Sequence, residues 1–196
     1  MEKNLLLKHI SNYINLSPKE NEILLSKVNF RKYLKGQYVV QEGDICKYHN
    51  FVLAGCLKSF YMDPEGNEHI ISFAIENWWT GNLESFVRQE PSNYNVQCME
   101  ICELAQFSYK NLEILYQEIP KLERFFRIKL QNAYISYQKR VFENISLPAR
   151  ERYLNFRKRY SQIESRVPQY MIASYLGITA EFLSKIKKEL QKENIS

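Results

Sequence analysis

No stretch of this sequence approaches the roughly 18 consecutive apolar residues that a membrane-spanning helix needs. Its first residues, Met1-Glu2-Lys3-Asn4-Leu5-Leu6-Leu7-Lys8, are apolar too briefly and charged too soon to read as a secretory signal. A cytoplasmic protein is therefore expected. Histidine and cysteine are also scarce, at three and four in 196 residues. Cys46, Cys56, Cys98 and Cys102 contain no C-x-x-C pair, and His9, His49 and His69 do not cluster with them. Zinc and iron–sulfur sites depend on close, repeated ligand spacings, so no metal and no cofactor is assigned. Free, mostly buried thiols are the plain reading.

Glycine is sparse too, but it is concentrated. Residues 29–107 hold five of the six: Gly36, Gly43, Gly55, Gly66 and Gly81. Between them run short β-prone segments at 37–40, 50–53, 57–61 and 69–74. Asp63-Pro64-Glu65-Gly66-Asn67 and Glu90-Pro91-Ser92-Asn93 supply the turn chemistry. Short strands with such punctuation predict an antiparallel, jelly-roll-like β-roll. Helical spacing precedes it over 3–27, with Ser17-Pro18-Lys19-Glu20 as a helix start.

After the strands the period returns to helical. Pro120 divides a short helix (108–119) from a long one (121 to about 144). On the long helix Phe126, Leu130, Ala133, Tyr137 and Val141 step by 4, 3, 4 and 4, one apolar seam. The seam reads as a homodimer contact, with packing on the helix's own domain as the alternative. We expect a helix over 147–160 with Ser146 as its cap, and further helices over 169–176 and from 179 to about 191. The chain thus divides into a sensor-like unit (1–120), a linking helix (121–145) and a small helical unit (146–196). The fold class expected is α+β.

Charge separates the same parts. Residues 1–120 carry 11 Lys and Arg against 15 Asp and Glu, whereas 121–196 carry 16 against 7. A basic end on an acidic body suits a polyanion. The run from Gln169 to Lys188 has the residue types that two helices crossing at a tight turn require. Ile172, Leu176, Ile178, Leu183 and Ile186 are the meeting faces; Ala173 is small where the second helix passes; Gly177 ends the first helix; Thr179 caps the second; and Glu181 lies in its first turn. This predicts a helix-turn-helix. Double-stranded DNA is the expected partner, with base contacts from Thr179, Ala180, Glu181, Ser184 and Lys185 and phosphate contacts from Gln169, Tyr170, Lys187 and Lys188.

Taken together, these segments resemble the Crp/Fnr family of transcriptional regulators, especially its Bacteroidetes-type branch. The likeness rests on the Gly36–Gly81 segment, on Trp78-Trp79-Thr80-Gly81-Asn82-Leu83-Glu84-Ser85-Phe86, on the long helix after Pro120, and on Val167-Pro168-Gln169 through Thr179. It implies a cyclic-nucleotide-binding-like roll, a homodimer, a palindromic promoter site and contact with RNA polymerase. Glu181-Phe182-Leu183-Ser184-Lys185 resembles the family's E-x-x-S-R signature, with Lys185 where arginine is usual.

By the same resemblance an effector pocket falls at Gly81, Asn82, Leu83, Glu84, Ser92 and Asn93. The family's phosphate-binding arginine is missing there unless Arg88 replaces it, so cyclic AMP control is not expected; a cyclic-nucleotide-responsive regulator is the alternative. The family's C-terminal wing is expected to be absent or a stub, with Lys187, Lys188 and Lys192 taking over its phosphate contacts. A cupin-type metalloenzyme would need ligands on the strands; His49 and His69 are the only candidates and no H-x-H pair exists. Enzymatic activity is not expected.

Overall fold

The structure, a computed structural model, describes residues 2–193. Two helices, α1 (Glu2–Ser11) and α2 (Pro18–Lys27), lead into the strands. The start of α2 is a capping box: the Ser17 amide donates to Glu20 Oε2 at 2.6 Å, and the Glu20 amide donates to Ser17 Oγ at 3.2 Å. Two otherwise orphaned N–H groups are thereby satisfied, and Pro18 pre-sets the first helical φ.

The strands are β1 (Asn29–Tyr33), β2 (Tyr38–Val40), β3 (Tyr48–Ala54), β4 (Leu57–Met62), β5 (Glu68–Ala74), β6 (Trp79–Thr80), β7 (Asn95–Cys98) and β8 (Cys102–Ser108). A short helix, α3 (Leu83–Arg88), lies between β6 and β7. Among the described residues the strands form two four-stranded antiparallel sheets, β1-β8-β3-β6 and β2-β7-β4-β5. This is the expected roll. β1, β7 and β8 were not legible locally. β8 contains Glu103, Ala105 and Gln106, poor strand formers, and it is a strand because β1 and β3 flank it. Gln106 is fully used in that position: it donates to Asn50 Oδ1 (2.8 Å) and the Tyr33 hydroxyl (3.1 Å) and accepts from Asn29 (3.2 Å). Gly55, between β3 and β4, has φ +103°, and a β-carbon there would lie 2.5 Å from Cys102 Sγ. Only glycine fits that approach.

Then follow α4 (Tyr109–Glu118), α5 (Lys121–Ser146), α6 (Ala149–Arg159), α7 (Ser161–Glu164), α8 (Gln169–Leu176) and α9 (Ala180–Glu193). The first turns of α5 belong to the roll's core. Phe125 and Phe126 are buried, and Phe126 packs edge-on to Trp79 with ring centroids 5.0 Å apart. This corrects the expected dimer seam: Phe126 is 7 % exposed and lies among Trp79, Phe107 and Tyr116 rather than on an open face. Ser146 is also corrected. It is the last residue of α5, its hydroxyl donates to the Phe142 carbonyl (2.7 Å), and α6 starts after Pro148 without a side-chain cap.

A second core joins the roll to the C-terminal helices. Phe60, Ile70, Phe73 and Ile75 from the sheet pack with Phe156, Met171, Leu183 and Ile186. The four cysteines are free and buried.

His9 on α1 is wedged against Phe51 and Phe125, and its Nε2 has no hydrogen-bond partner among the described residues. Burial, helped by Lys129, pushes its pKa from 6.5 down to about 4. The neutral ring is the folded form, so stability is complete above about pH 6.5 and falls as pH drops toward 4. The expected outcome is that melting temperature falls between pH 7 and 5, and falls less in His9→Leu; an unchanged slope would refute the assignment.

Candidate nucleic-acid interface and junction cavity

Helices α8 and α9 meet as the residue pattern anticipated. Gly177 ends α8 with φ +66°, its amide donates to the Ser174 carbonyl (3.1 Å), and the Ile178 amide donates to the Ala173 carbonyl (3.0 Å). The left-handed step turns the chain, and these bonds close the carbonyl end of α8. Thr179 Oγ1 then accepts from the Phe182 amide at 3.2 Å and so caps α9. Ala173 is fully buried beneath the crossing, with Ile172, Leu176, Leu183 and Ile186 around it.

Of the nine residues singled out from the sequence, Gln169, Tyr170, Thr179, Glu181, Lys185 and Lys188 are exposed, and Ala180 and Ser184 are half-buried beside them. Lys187 turns inward. Its ammonium lies 3.5 Å from Glu164 Oε1 and over the Tyr153 ring. Glu164 also accepts from the Tyr153 hydroxyl and faces Arg157 Nε at 3.6 Å, so it ties α6, α7 and α9 together. The sequence reading missed Phe182, exposed on the outer face of α9, and the α6 cations. Arg150, Arg157 and Arg159 each meet a glutamate, while Lys158 is exposed. The basic run Arg157-Lys158-Arg159 was their signal. The expectation of a missing or reduced wing falls on the chain end, where residues 194–196 lie outside the described residues.

Three polar contacts fasten this helical unit to the roll. Ser174 Oγ accepts from the Ile70 amide (2.9 Å) and donates to the Glu68 carbonyl (3.2 Å), so α8 occupies the open side of edge strand β5. Arg166 donates to both oxygens of Glu76 (2.7 and 3.0 Å) and to Glu100. Burial works to raise the Glu76 pKa, but the Arg166 hydrogen bonds and the Gly55 amide prevail and hold it low. Arg140 of α5 donates to the carbonyls of Ile71 in the roll and Tyr175 in α8 (3.2 Å to the latter), with its guanidinium 3.9 Å from the Tyr175 ring centre.

Where roll, α5 and helical unit meet lies a cavity of about 560 Å³. Leu130, Ala133 and Tyr137, expected on a dimer seam, line it instead. Val141 is exposed beyond it. Of the expected effector set, only Gly81 and Leu83 reach this cavity. Asn82 is 2 % exposed and committed within the protein: it donates to Ser92 Oγ (2.8 Å) and Asn93 Oδ1 (3.1 Å) and caps α3 through the Ser85 amide. Ser92 is buried and donates to the Tyr94 carbonyl at 2.6 Å. Glu84 pairs at the surface with Arg88 at 3.7 Å, so Arg88 does not face the Asn82–Ser92 pair as a replacement cation. Among the described residues no cluster of three or more His, Cys, Asp or Glu could hold a metal, and no helix is long and apolar enough to cross a membrane. His49 stacks on Trp79, and His69 meets Asp63 on the β4–β5 hairpin at 2.8 Å.

Comparison with known proteins agrees with this architecture. The cyclic nucleotide-binding domain family matches residues 30–118. The cAMP-activated global transcriptional regulator CRP of Salmonella typhimurium is 22% identical over 184 residues, 89% of this chain and 88% of that protein. The fumarate and nitrate reduction regulatory protein of Vibrio cholerae is 25% identical over 172 residues, 82% of this chain and 68% of its own length. In fold, FixK2 from Bradyrhizobium japonicum superposes with TM-score 0.74 at 15% identity, covering 86% of each chain. The c-di-GMP responsive regulator CLP of Xanthomonas campestris gives 0.72 at 18%, covering 91% of this chain and 93% of that one. The chain belongs to the Crp/Fnr family of transcriptional regulators.

Two outcomes follow from the geometry. Gly177→Ala should destabilise the protein by about 1 kcal/mol, because open space surrounds the position and backbone strain alone is added; Gly177→Asn should recover part of it. Chemical denaturation reads both. A double-mutant cycle of Arg166→Ala with Glu76→Gln should give a coupling above the ~0.2–1 kcal/mol of an exposed pair, since the contact is bidentate and partly shielded.

Proposed function

We propose that the protein is a homodimeric regulator that binds a palindromic DNA site, with α9 in the major groove. The observation that carries this reading is the exposed face at the start of α9. Thr179, Glu181 and Lys185 project there from a helix seated by the Gly177 turn and the Thr179 cap. Glutamate can accept from cytosine N4, and lysine can donate to guanine O6 or N7. Lys188, Gln169 and Tyr170, also exposed, suit phosphates, which position without specifying. Lys158 on α6 is a further candidate for the backbone.

The dimer reading is supported by the second half of α5. Tyr134, Ile135, Tyr137, Phe142 and Ile145 are exposed there, and Ile145 is 83 % exposed. Water-exposed apolar side chains over three turns of one helix favour burial against a second copy. Two copies would present their recognition helices about 34 Å apart, one turn of DNA. The reading includes independence from cyclic AMP. The polar groups of Asn82 and Ser92 are committed to each other and to the backbone, and Arg88 pairs with Glu84 outside that pair. Contact with RNA polymerase is part of the same reading, carried by family membership.

Selection from random duplex DNA tests it. An enriched palindrome is expected, and Glu181→Ala or Lys185→Ala should cost about 1–3 kcal/mol at defined bases. Lys188→Ala should weaken all sites alike and lower the salt slope by about one. Phe142→Glu with Ile145→Glu should give a folded monomer in sedimentation. Unselective binding untouched by the α9 substitutions, or a dimer that survives the α5 pair, would sink the respective part.

A further inference from the structure

We propose that the junction cavity is a binding site for an apolar organic anion: a small carboxylic acid with an aromatic or alkyl body, its charge taken by Arg140 and Lys129. This deepens the regulatory reading and rests on it only for the effect on DNA, not for binding itself.

Size comes first. A volume of about 560 Å³ suits one small organic molecule. Chemistry follows. Trp78, Tyr137, Phe156, Tyr160 and Tyr175 make the wall largely aromatic. Arg140 and Lys129 line it too, and among the described residues no aspartate or glutamate does. Two cations without a balancing acid in a mostly apolar enclosure set a positive potential that a dehydrated anion would neutralise. Ser136 and Asn132, on the α5 wall, add neutral hydrogen-bonding groups.

Arg140 sharpens the argument. Arg150, Arg157, Arg159 and Arg166 all meet glutamates, whereas Arg140 is held by two neutral carbonyls and a tyrosine ring. A carboxylate is a stronger acceptor for a guanidinium than a carbonyl is, so an entering acid competes well for it. Those two carbonyls belong to Ile71 of the roll and Tyr175 of α8. The group that would take the ligand's charge is therefore one that fastens the helix-turn-helix to the roll. An anion bound there changes how that unit is held, with no cyclic phosphate required.

The test uses the full-length protein with 3-phenylpropionate and decanoate as probes, their amides as uncharged controls, and cyclic AMP as a competitor. Calorimetric titration is expected to show saturable binding of at least one acid, at least tenfold tighter than its amide and not displaced by cyclic AMP. Arg140→Gln should erase the acid–amide difference. Because that change also removes a structural tie, Lys129→Gln is measured beside it and should narrow the difference. Ala133→Phe, which adds bulk from the α5 wall, should block acid and amide alike while leaving the melting curve cooperative. Acid and amide binding within twofold of each other, no binding of any probe, or binding untouched by Ala133→Phe would overturn the proposal. So would binding seen only in the Phe142→Glu, Ile145→Glu monomer, since a second copy would then close the cavity. DNA affinity without probe is recorded in parallel: intact DNA binding with no anion binding removes this proposal alone, and lost DNA binding with intact anion binding removes only the regulatory reading.

Discussion

The structure depends on the seating of the C-terminal helices on edge strand β5. A sheet edge leaves backbone N–H and C=O groups without partners, and a short three-helix unit buries too little apolar surface to be strongly stable alone. Each supplies what the other lacks. Ser174 satisfies one amide and one carbonyl of the strand, and Met171 and Ile172 enter a core shared with Phe60, Ile70 and Phe73. Arg166 and Arg140 fasten the two sides of this contact. The unit that presents α9 is therefore positioned by the roll, and anything that perturbs β5 or α5 is felt there.

The long helix serves both parts in turn. Its opening residues Leu122, Phe125 and Phe126 complete the roll's core, its middle lines the junction cavity, and its later turns are exposed apolar surface. One helix thus links the core of the roll, a cavity and an open face within 26 residues. That continuity is a physical basis for communication in a regulator, because a rigid helix carries a local shift along its length.

Much of the architecture was legible from local signals. The Ser17 capping box, the hairpin turn at Asp63–Asn67 and the Gly177–Thr179 junction are each a few residues whose chemistry admits few conformations, and all three formed. The seam was legible only as a stripe. Periodicity says that Phe126, Leu130, Ala133 and Tyr137 share a face, but not what the face meets; here it meets the roll and the cavity wall. The effector set shows the same limit, because Asn82 and Ser92 spend their polar groups on each other, which no spacing reveals.

What the sequence by itself determined was the order of elements, the charge division and the helix-turn-helix, since turn stereochemistry, helix caps and apolar period act over a handful of neighbouring residues. Tertiary structure alone decided that β8 is a strand, that Lys187 folds inward to Glu164 and that Arg140 bridges roll and helices beside a cavity without acids. Each of those outcomes turns on partners distant in sequence, and a side chain's role is then set by which group it meets in space rather than by its neighbours along the chain.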